Sequence, residues 1–278
     1  MMESIYQPHI MTIEDIVVET PDVKTFRITF QNRALRHSFS FKPGQFGKYS
    51  IFGEGESTCY LASSPTCKGY LECSVKRANK VAEAFHKLEI GDQIGFRGPY
   101  GNWFPLEELG GKNLILIGSG TGLIPLRSLI GNCLAFRNHF GRITILYGAA
   151  RIVDLIYKRE LKEWAQREDV NLIRTVEPGG EEPGWDGQVG FVPVIMRGID
   201  LSPEKSVAIT CGPPVMVKFV IEGLISVGFS PEQVITTLES RIRCGLGKCG
   251  RCTIGNHYVC QEGPVFTYAQ ISEFPNEF

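Results

Sequence analysis

No apolar run in this chain reaches the roughly 20 residues of a membrane-spanning helix. The longest, such as Asn113–Ile117, have strand length and are broken by Gly and Ser. A secretory leader is not expected either: Met1-Met2-Glu3-Ser4 opens no basic stretch followed by an apolar one. Charge of one sign is absent. The 29 Lys+Arg and 30 Asp+Glu leave a net −1, which favours neither nucleic acid nor an anionic membrane as partner. Histidine is scarce, and His9, His37, His86, His139 and His257 share no metal-ligand spacing. No Ser/His/Asp or Cys/His arrangement stands out, and no internal repeat was found.

Cysteine is what the chain has in excess, nine in 278 residues. Cys59, Cys67, Cys73, Cys133 and Cys211 are scattered; the other four crowd towards the C-terminus. Without an export signal a disulfide framework is not expected, and crowding favours metal. The run is Arg243-Cys244-Gly245-Leu246-Gly247-Lys248-Cys249-Gly250-Arg251-Cys252, followed by Cys260, a C-x4-C-x2-C-x7-C spacing. Four thiolates can hold zinc or an iron–sulfur cluster. Structural zinc sites usually pair their ligands in two short loops. Here one tight loop carries three cysteines and a separate segment the fourth, the spacing of plant-type [2Fe-2S] ferredoxins. Gly245, Gly247 and Gly250 let the backbone wrap closely, so that amides can point at sulfur. Lys248 and Arg251 add positive charge. Cys244, Cys249, Cys252 and Cys260 are therefore the candidate cluster ligands, with zinc or uncommitted thiols as alternatives. His257 lies in this loop without a second histidine and is read as a bystander.

The length suits about two domains and a small appendage. Short apolar or alternating runs at Ile13–Val18, Lys24–Phe30, Gln45–Ile51, Tyr70–Lys76 and Gln93–Gly95, with one short helix at Val81–Leu88, predict a small β-barrel over 1–108. From Asn113 the rhythm changes. Strands at Asn113–Ile117, Ile143–Tyr147, Val170–Thr175, Val207–Thr210 and Gln233–Leu238 alternate with helices at Leu123–Phe136, Leu155–Gln166 and Val215–Val227. That alternation predicts a parallel α/β sheet over 109–238. Glu177–Gly187 reads as a loop. The tail, 239–278, is predicted to fold around its metal as a small lobe.

Strand Asn113–Ile117 runs into Gly118-Ser119-Gly120-Thr121-Gly122, which opens a helix. Such a turn lets amides approach a pyrophosphate at the helix N-terminus. The spacing is neither a P-loop nor the usual dinucleotide fingerprint. Two further segments belong at strand ends: Tyr147-Gly148-Ala149-Ala150-Arg151 and Cys211-Gly212-Pro213-Pro214. Gly118, Gly120, Thr121, Gly122, Gly148, Arg151, Cys211, Gly212 and Pro213 are the candidate nucleotide-binding residues. Arg151 reads either as a phosphate ligand or as a solvated surface residue, and Cys211 either as a border of the nicotinamide or as a small buried residue.

Together with Arg97-Gly98-Pro99-Tyr100-Gly101, the run from Glu239 to Cys260 and Gly263-Pro264-Val265-Phe266, these segments resemble the ferredoxin–NADP reductase superfamily over nearly the whole chain. The nearest branches are the gamma (diaphorase) subunits of cytosolic sulfhydrogenases and [NiFe] hydrogenases and the B subunit of anaerobic sulfite reductase; the dihydroorotate dehydrogenase electron-transfer subunit is more distant. The resemblance implies an FAD-binding barrel, an NAD(P)-binding domain and a terminal [2Fe-2S] lobe. It implies hydride exchange between NAD(P)H and FAD, and single electrons passed through the cluster to or from a partner iron–sulfur, hydrogenase-type or sulfite-reductase-type subunit. It places FAD against Leu61, Ala62, Ser63, Val75, Arg77, Lys80 and Val81. Two family segments depart. The Arg-x-Tyr-Ser/Thr segment falls on Ser57-Thr58-Cys59-Tyr60, and the Gly-x-x-Thr/Ser segment on Asn79-Lys80-Val81-Ala82. Backbone amides can still hold a flavin there. The alternatives are a flavin-free [2Fe-2S] relay or scaffold, and a zinc-stabilised nucleotide sensor.

Overall fold

The computed structural model describes residues 4–238 and 242–274. The start of the Glu239–Cys260 run and both chain ends therefore lie outside the described residues. The chain forms two compact units: Met1–Phe104 with Arg127–Asn132 and Glu239–Pro264, and Pro105–Leu126 with Cys133–Leu238 and Val265–Phe278. No helix among the described residues is long and apolar enough to cross a membrane.

In the first unit the chain makes strands β1 (His9–Thr20) and β2 (Val23–Phe30), helix α1 (Arg33–Ser38) and strands β3 (Phe46–Ile51), β4 (Gly55–Tyr60) and β5 (Leu71–Lys76). Helix α2 (Lys80–His86) and strand β6 (Gln93–Tyr100) follow. The strands pair antiparallel in the order β4-β3-β6-β1-β2-β5. Alternate residues face inward, so Met11, Ile13, Phe26, Ile28, Tyr49, Cys73, Val75, Ile94 and Phe96 meet in one core with Phe85 of α2. Phe85 packs 4.8 Å from Phe26 between ring centroids. The sheet's two edges meet just past β4, where Ala62 N donates to Glu72 O of β5 at 2.8 Å. Strand β4 and helix α1 were not legible in sequence. Gly55–Tyr60 is an edge strand with a polar first half, and α1 buries no residue, so it carries no apolar stripe; its Asn32 cap accepts from Ala34 N and Leu35 N.

The second unit begins with α3 (Leu106–Leu109), β7 (Asn113–Ser119), α4 (Leu123–Ala135), β8 (Ile143–Ala149), α5 (Lys158–Ala165) and β9 (Val170–Val176). It continues through β10 (Gln188–Val189), α6 (Val192–Arg197), β11 (Ser206–Cys211), α7 (Pro214–Ser226) and β12 (Val234–Thr237). Strands β13 (Thr253–Ile254) and β14 (His257–Tyr258), a hairpin, and α8 (Val259–Glu262) belong to the first unit. Strand β15 (Val265–Thr267) and α9 (Tyr268–Ser272) belong to the second. The second sheet runs β10-β9-β8-β7-β11-β12-β15, parallel except for the last pair. Strand order reverses between β7 and β11, so the crevice at their C-terminal ends is the topological switch point where such sheets take ligands.

The sequence placed all of 239–278 in one metal-folded lobe; the described part of that tail divides instead. Thr237, Thr236 and Ile235 of β12 pair with Val265, Phe266 and Thr267. Val265 and Phe266 are buried, and Phe266 packs on Phe274 at 5.3 Å. Apolar residues after Pro264 thus join a sheet that can bury them, while the Gly- and Cys-rich part does not. Helix α5 also starts later than expected, because Tyr157 takes a left-handed φ of 55° immediately before it.

Candidate functional site

At the switch point, β7 enters the turn Gly120–Gly122 and then α4. A Cβ on Gly122 would stand 2.1 Å from the Cys211 carbonyl oxygen. Only glycine permits this approach, and it presses the β7–α4 turn against the β11–α7 turn. The buried Tyr147 hydroxyl ties the same turn to the next crossover: it donates to Gly120 O and accepts from Ile156 N, each at 3.2 Å. Cys211 itself is 1% exposed. The structure thus brings Gly120, Gly122, Cys211 and Gly212 together.

Beside them lies a mostly apolar cavity of about 480 Å³, lined among others by Ser119, Gly148, Glu177, Phe191, Pro213 and Phe219. Gly148 and Pro213 were expected there. Glu177 and the apolar lip from α6 and α7 were not, since no motif marks them. An exposed Phe191 and Phe219 are the one sequence-blind sign of a ligand face. Arg151 does not line the cavity; its guanidinium grips Asp154 at 2.9 and 3.0 Å.

In the first unit, the polar groups of the expected flavin segment are engaged. Leu61 N donates to Gln45 O, Ala62 O accepts from Arg127, Ser63 O accepts from Ser128 Oγ at 2.7 Å, and Ser63 Oγ accepts from Glu72 N. Glu72, 6% exposed, bridges Arg127 and Arg27 at 2.7 and 2.9 Å. Burial pushes its carboxyl up, but Arg127 and Arg27 outweigh burial and hold it below its ordinary value. Where the family has a glycine and a hydroxyl, Asn79 caps α2 and its Oδ1 takes the Ala82 amide at 3.0 Å. Lys80 pairs with Glu54 at 3.0 Å and stays largely exposed, as does Arg77. Two exposed cations on the β5–α2 turn fit a pyrophosphate by charge, though the helix amide is shared with Asn79.

The cysteine loop wraps as its glycines predict. Gly245, Gly247 and Gly250 all take φ between 67° and 76°. Cys244 Sγ accepts from Leu246 N and Lys248 N at 3.4 Å, and Cys260 Sγ accepts from Gly247 N at 3.1 Å. Burial raises the Cys244 thiol, but the amides of Leu246, Cys249 and Lys248 outweigh it and bring the thiol down to about 6. Burial and the Cys252 partner push Cys260 up to about 12. Cys249 bears on Cys244, and both Cys252 and Cys244 bear on Cys260, so the thiols lie close to one another. Among the described residues no group of three or more His, Cys, Asp or Glu is assembled for a single metal ion. Four thiols in one glycine-rich loop, with backbone amides directed at sulfur, are a donor set that fits a [2Fe-2S] cluster. None of the nine cysteines is in a disulfide. His257 Nδ1 is held by the Glu262 carboxylate at 2.6 Å.

Three family models match the chain: an oxidoreductase FAD-binding domain over 11–104, an oxidoreductase NAD-binding domain over 116–222, and the iron–sulfur cluster binding domain of dihydroorotate dehydrogenase B over 239–272. Sulfhydrogenase 1 subunit gamma of Pyrococcus furiosus is 37% identical over 277 residues, covering 97% of this chain and 94% of that protein. A probable dihydroorotate dehydrogenase B (NAD(+)) electron transfer subunit of Methanocaldococcus jannaschii is 31% identical, covering 94% and 90%. Among solved structures, an NADH-dependent reduced ferredoxin-NADP oxidoreductase superposes with a TM-score of 0.74 at 23% identity over 99% of this chain and 91% of that one. A ferredoxin NADP+ reductase from Neisseria gonorrhoeae gives 0.69 at 20% identity over 82% and 96%. At these identities the solved structures speak for the fold.

Proposed function

The chain belongs to the family of FAD-, NAD- and iron–sulfur-binding electron-transfer subunits that includes the sulfhydrogenase gamma subunits, and on that premise we propose that it passes electrons between NAD(P)H and an iron–sulfur partner subunit. The observation that carries this is the presence in one chain of a four-cysteine loop with amides directed at sulfur and of a glycine-lined switch-point crevice. Gly120 and Gly122 cradle the nucleotide pyrophosphate, and Gly148, Pro213 and Glu177 border its adenosine side. Cys211 and Gly212 sit at the nicotinamide end. Arg77 and Lys80 neutralise the flavin pyrophosphate. Cys244, Cys249, Cys252 and Cys260 hold the cluster. FAD, when bound, exchanges two electrons with a nicotinamide and one with an iron–sulfur centre. The partner is a sulfhydrogenase-type or dihydroorotate-dehydrogenase-type core, by analogy with the complexes that the relatives' names give. Nine cysteines outside disulfides suit a reducing cytoplasm.

The test is cofactor content of the anaerobically purified chain: iron, sulfide and extracted flavin, with an NADH- and NADPH-dependent dye assay. About two irons, two sulfides and one FAD per chain, with dye reduction, support the reading. The committed polar groups at Leu61–Ser63 and the Asn79 cap favour one rival, a flavin-free relay. Iron and sulfide without flavin or dye reduction would select it.

A further inference from the structure

The outer face of the antiparallel sheet carries charges that no step above uses. Lys48 of β3 is 3% exposed and Arg97 of β6 is 8% exposed. They are cross-strand neighbours, and Thr58 of β4 flanks Lys48 on its other side. Side chains so registered share one face. Lys48 Nζ donates to Thr58 Oγ1 at 3.0 Å, and Thr58 Oγ1 donates to Ile242 O at 3.0 Å. Ile242 stands two residues before Cys244. At the end of β6, the Tyr100 ring would be 2.9 Å from a Cβ on Gly245. The limb that opens the four-cysteine run therefore rests on this face, within one compact unit.

The face is positive. Arg97 forks onto Glu56 at 2.9 and 2.8 Å, and Ser50 donates to the same carboxylate. Glu56 is a third exposed, so two buried cations meet one partly solvated anion. Burial pushes the Lys48 ammonium down from its ordinary value, while Glu56, Cys59 and Cys244 pull it back up. Through Thr58, Lys48 is tied to the backbone two residues before Cys244.

A buried, incompletely paired ammonium costs several kcal/mol unless negative charge offsets it. A [2Fe-2S] centre held by four thiolates is an anion, and its reduction adds one further negative charge. We propose that Lys48, with Arg97 beside it, sets the reduction potential of the cluster held by Cys244, Cys249, Cys252 and Cys260. The buried positive charge favours the reduced state, and Glu56 opposes it. This rests on the cluster assignment made above.

The test is an EPR-monitored reductive titration of the anaerobically purified chain as wild type, K48M, K48R and E56Q, with iron and sulfide quantified in each. K48M is expected to lower the potential. At the wild-type midpoint its reduced-to-oxidised ratio falls about tenfold, equivalent to about 59 mV for a one-electron couple. K48R keeps the wild-type value, and E56Q moves in the opposite direction to K48M. Unchanged potentials in K48M and E56Q, or shifts of the same sign in both, overturn the proposal. If K48M loses its iron, E56Q decides alone: a potential that does not rise overturns it. A wild type with no [2Fe-2S] signal overturns the cluster assignment, and the proposal with it.

Discussion

At the scale of single residues, ligand spacing and close backbone approach are what this sequence states openly. Cys244, Cys249, Cys252 and Cys260 stand out because metal ligands obey fixed spacing. Replacing Cys252, 1% exposed, by Ser is expected to abolish two-iron content, whereas C67S at a half-buried thiol leaves it intact; iron and sulfide analysis checks both. Gly122→Ala drives a methyl into the Cys211 carbonyl and should cost about 1–3 kcal/mol, read as a lowered Tm, with weaker nucleotide binding. Glu72 was silent in sequence because its meaning depends on Arg27 and Arg127, 45 and 55 residues away. Its folded-state pKa lies below the ordinary value, so its contribution to stability is present above the unfolded pKa and is lost as pH falls through the folded one. E72Q should therefore destabilise the chain at pH 7 by about 3–5 kcal/mol, leaving two cations unpaired, and should flatten the loss of stability below about pH 4.5; denaturant titrations at pH 4 and pH 7 check the sign. Arg151 shows the converse. Its partner Asp154 is three residues away, and the surface reading left open in sequence is the one this local pair favours.

At the scale of elements, strong periodicity was readable and weak periodicity was not. Strands β7, β8, β9, β11 and β12 announce themselves through largely apolar runs, as buried parallel strands do, whereas the two exposed residues of β10 carry no such signal. Strand β4, α1 and α6 lack that signal. The first two face solvent over much of their length, and α6 is a short helix between Gly190 and Gly198. The Asn79 cap belongs to this scale, because it decides what the first turn of α2 can offer. Replacing a capping Asn by Gly costs the helix only a few tenths of a kcal/mol. N79G frees the Ala82 amide and restores the glycine of the family segment. Flavin affinity, followed by fluorescence quenching, is expected to rise several-fold with little change in Tm. An affinity equal to or below that of the wild type would show that Asn79 does not compete with the pyrophosphate.

At the scale of the whole molecule, the division of the tail makes cluster and nucleotide sites separable. The sequence could not reveal this, because the three residues Val265–Thr267 are too short a run to mark a strand until β12 supplies an apolar edge to pair with. Gly247, Cys252 and Cys260 sit in the unit of the antiparallel sheet, while β15 and α9 are fixed to the parallel sheet by the β12–β15 register and by Tyr268 against its core. Loss of the cluster removes the metal that folds its loop, but it leaves β12–β15 and the switch-point crevice with their own apolar support. A C252S chain should therefore lose iron and still gain thermal stability from its preferred nicotinamide nucleotide, by about 2.7 kcal/mol at a hundredfold excess over Kd, as in the wild type. Calorimetric scans with NADH and NADPH on both proteins measure it. Loss of the nucleotide-dependent shift together with the iron would mean that the two units fold as one, and that the tail's last strand does not insulate the nucleotide site from the cluster.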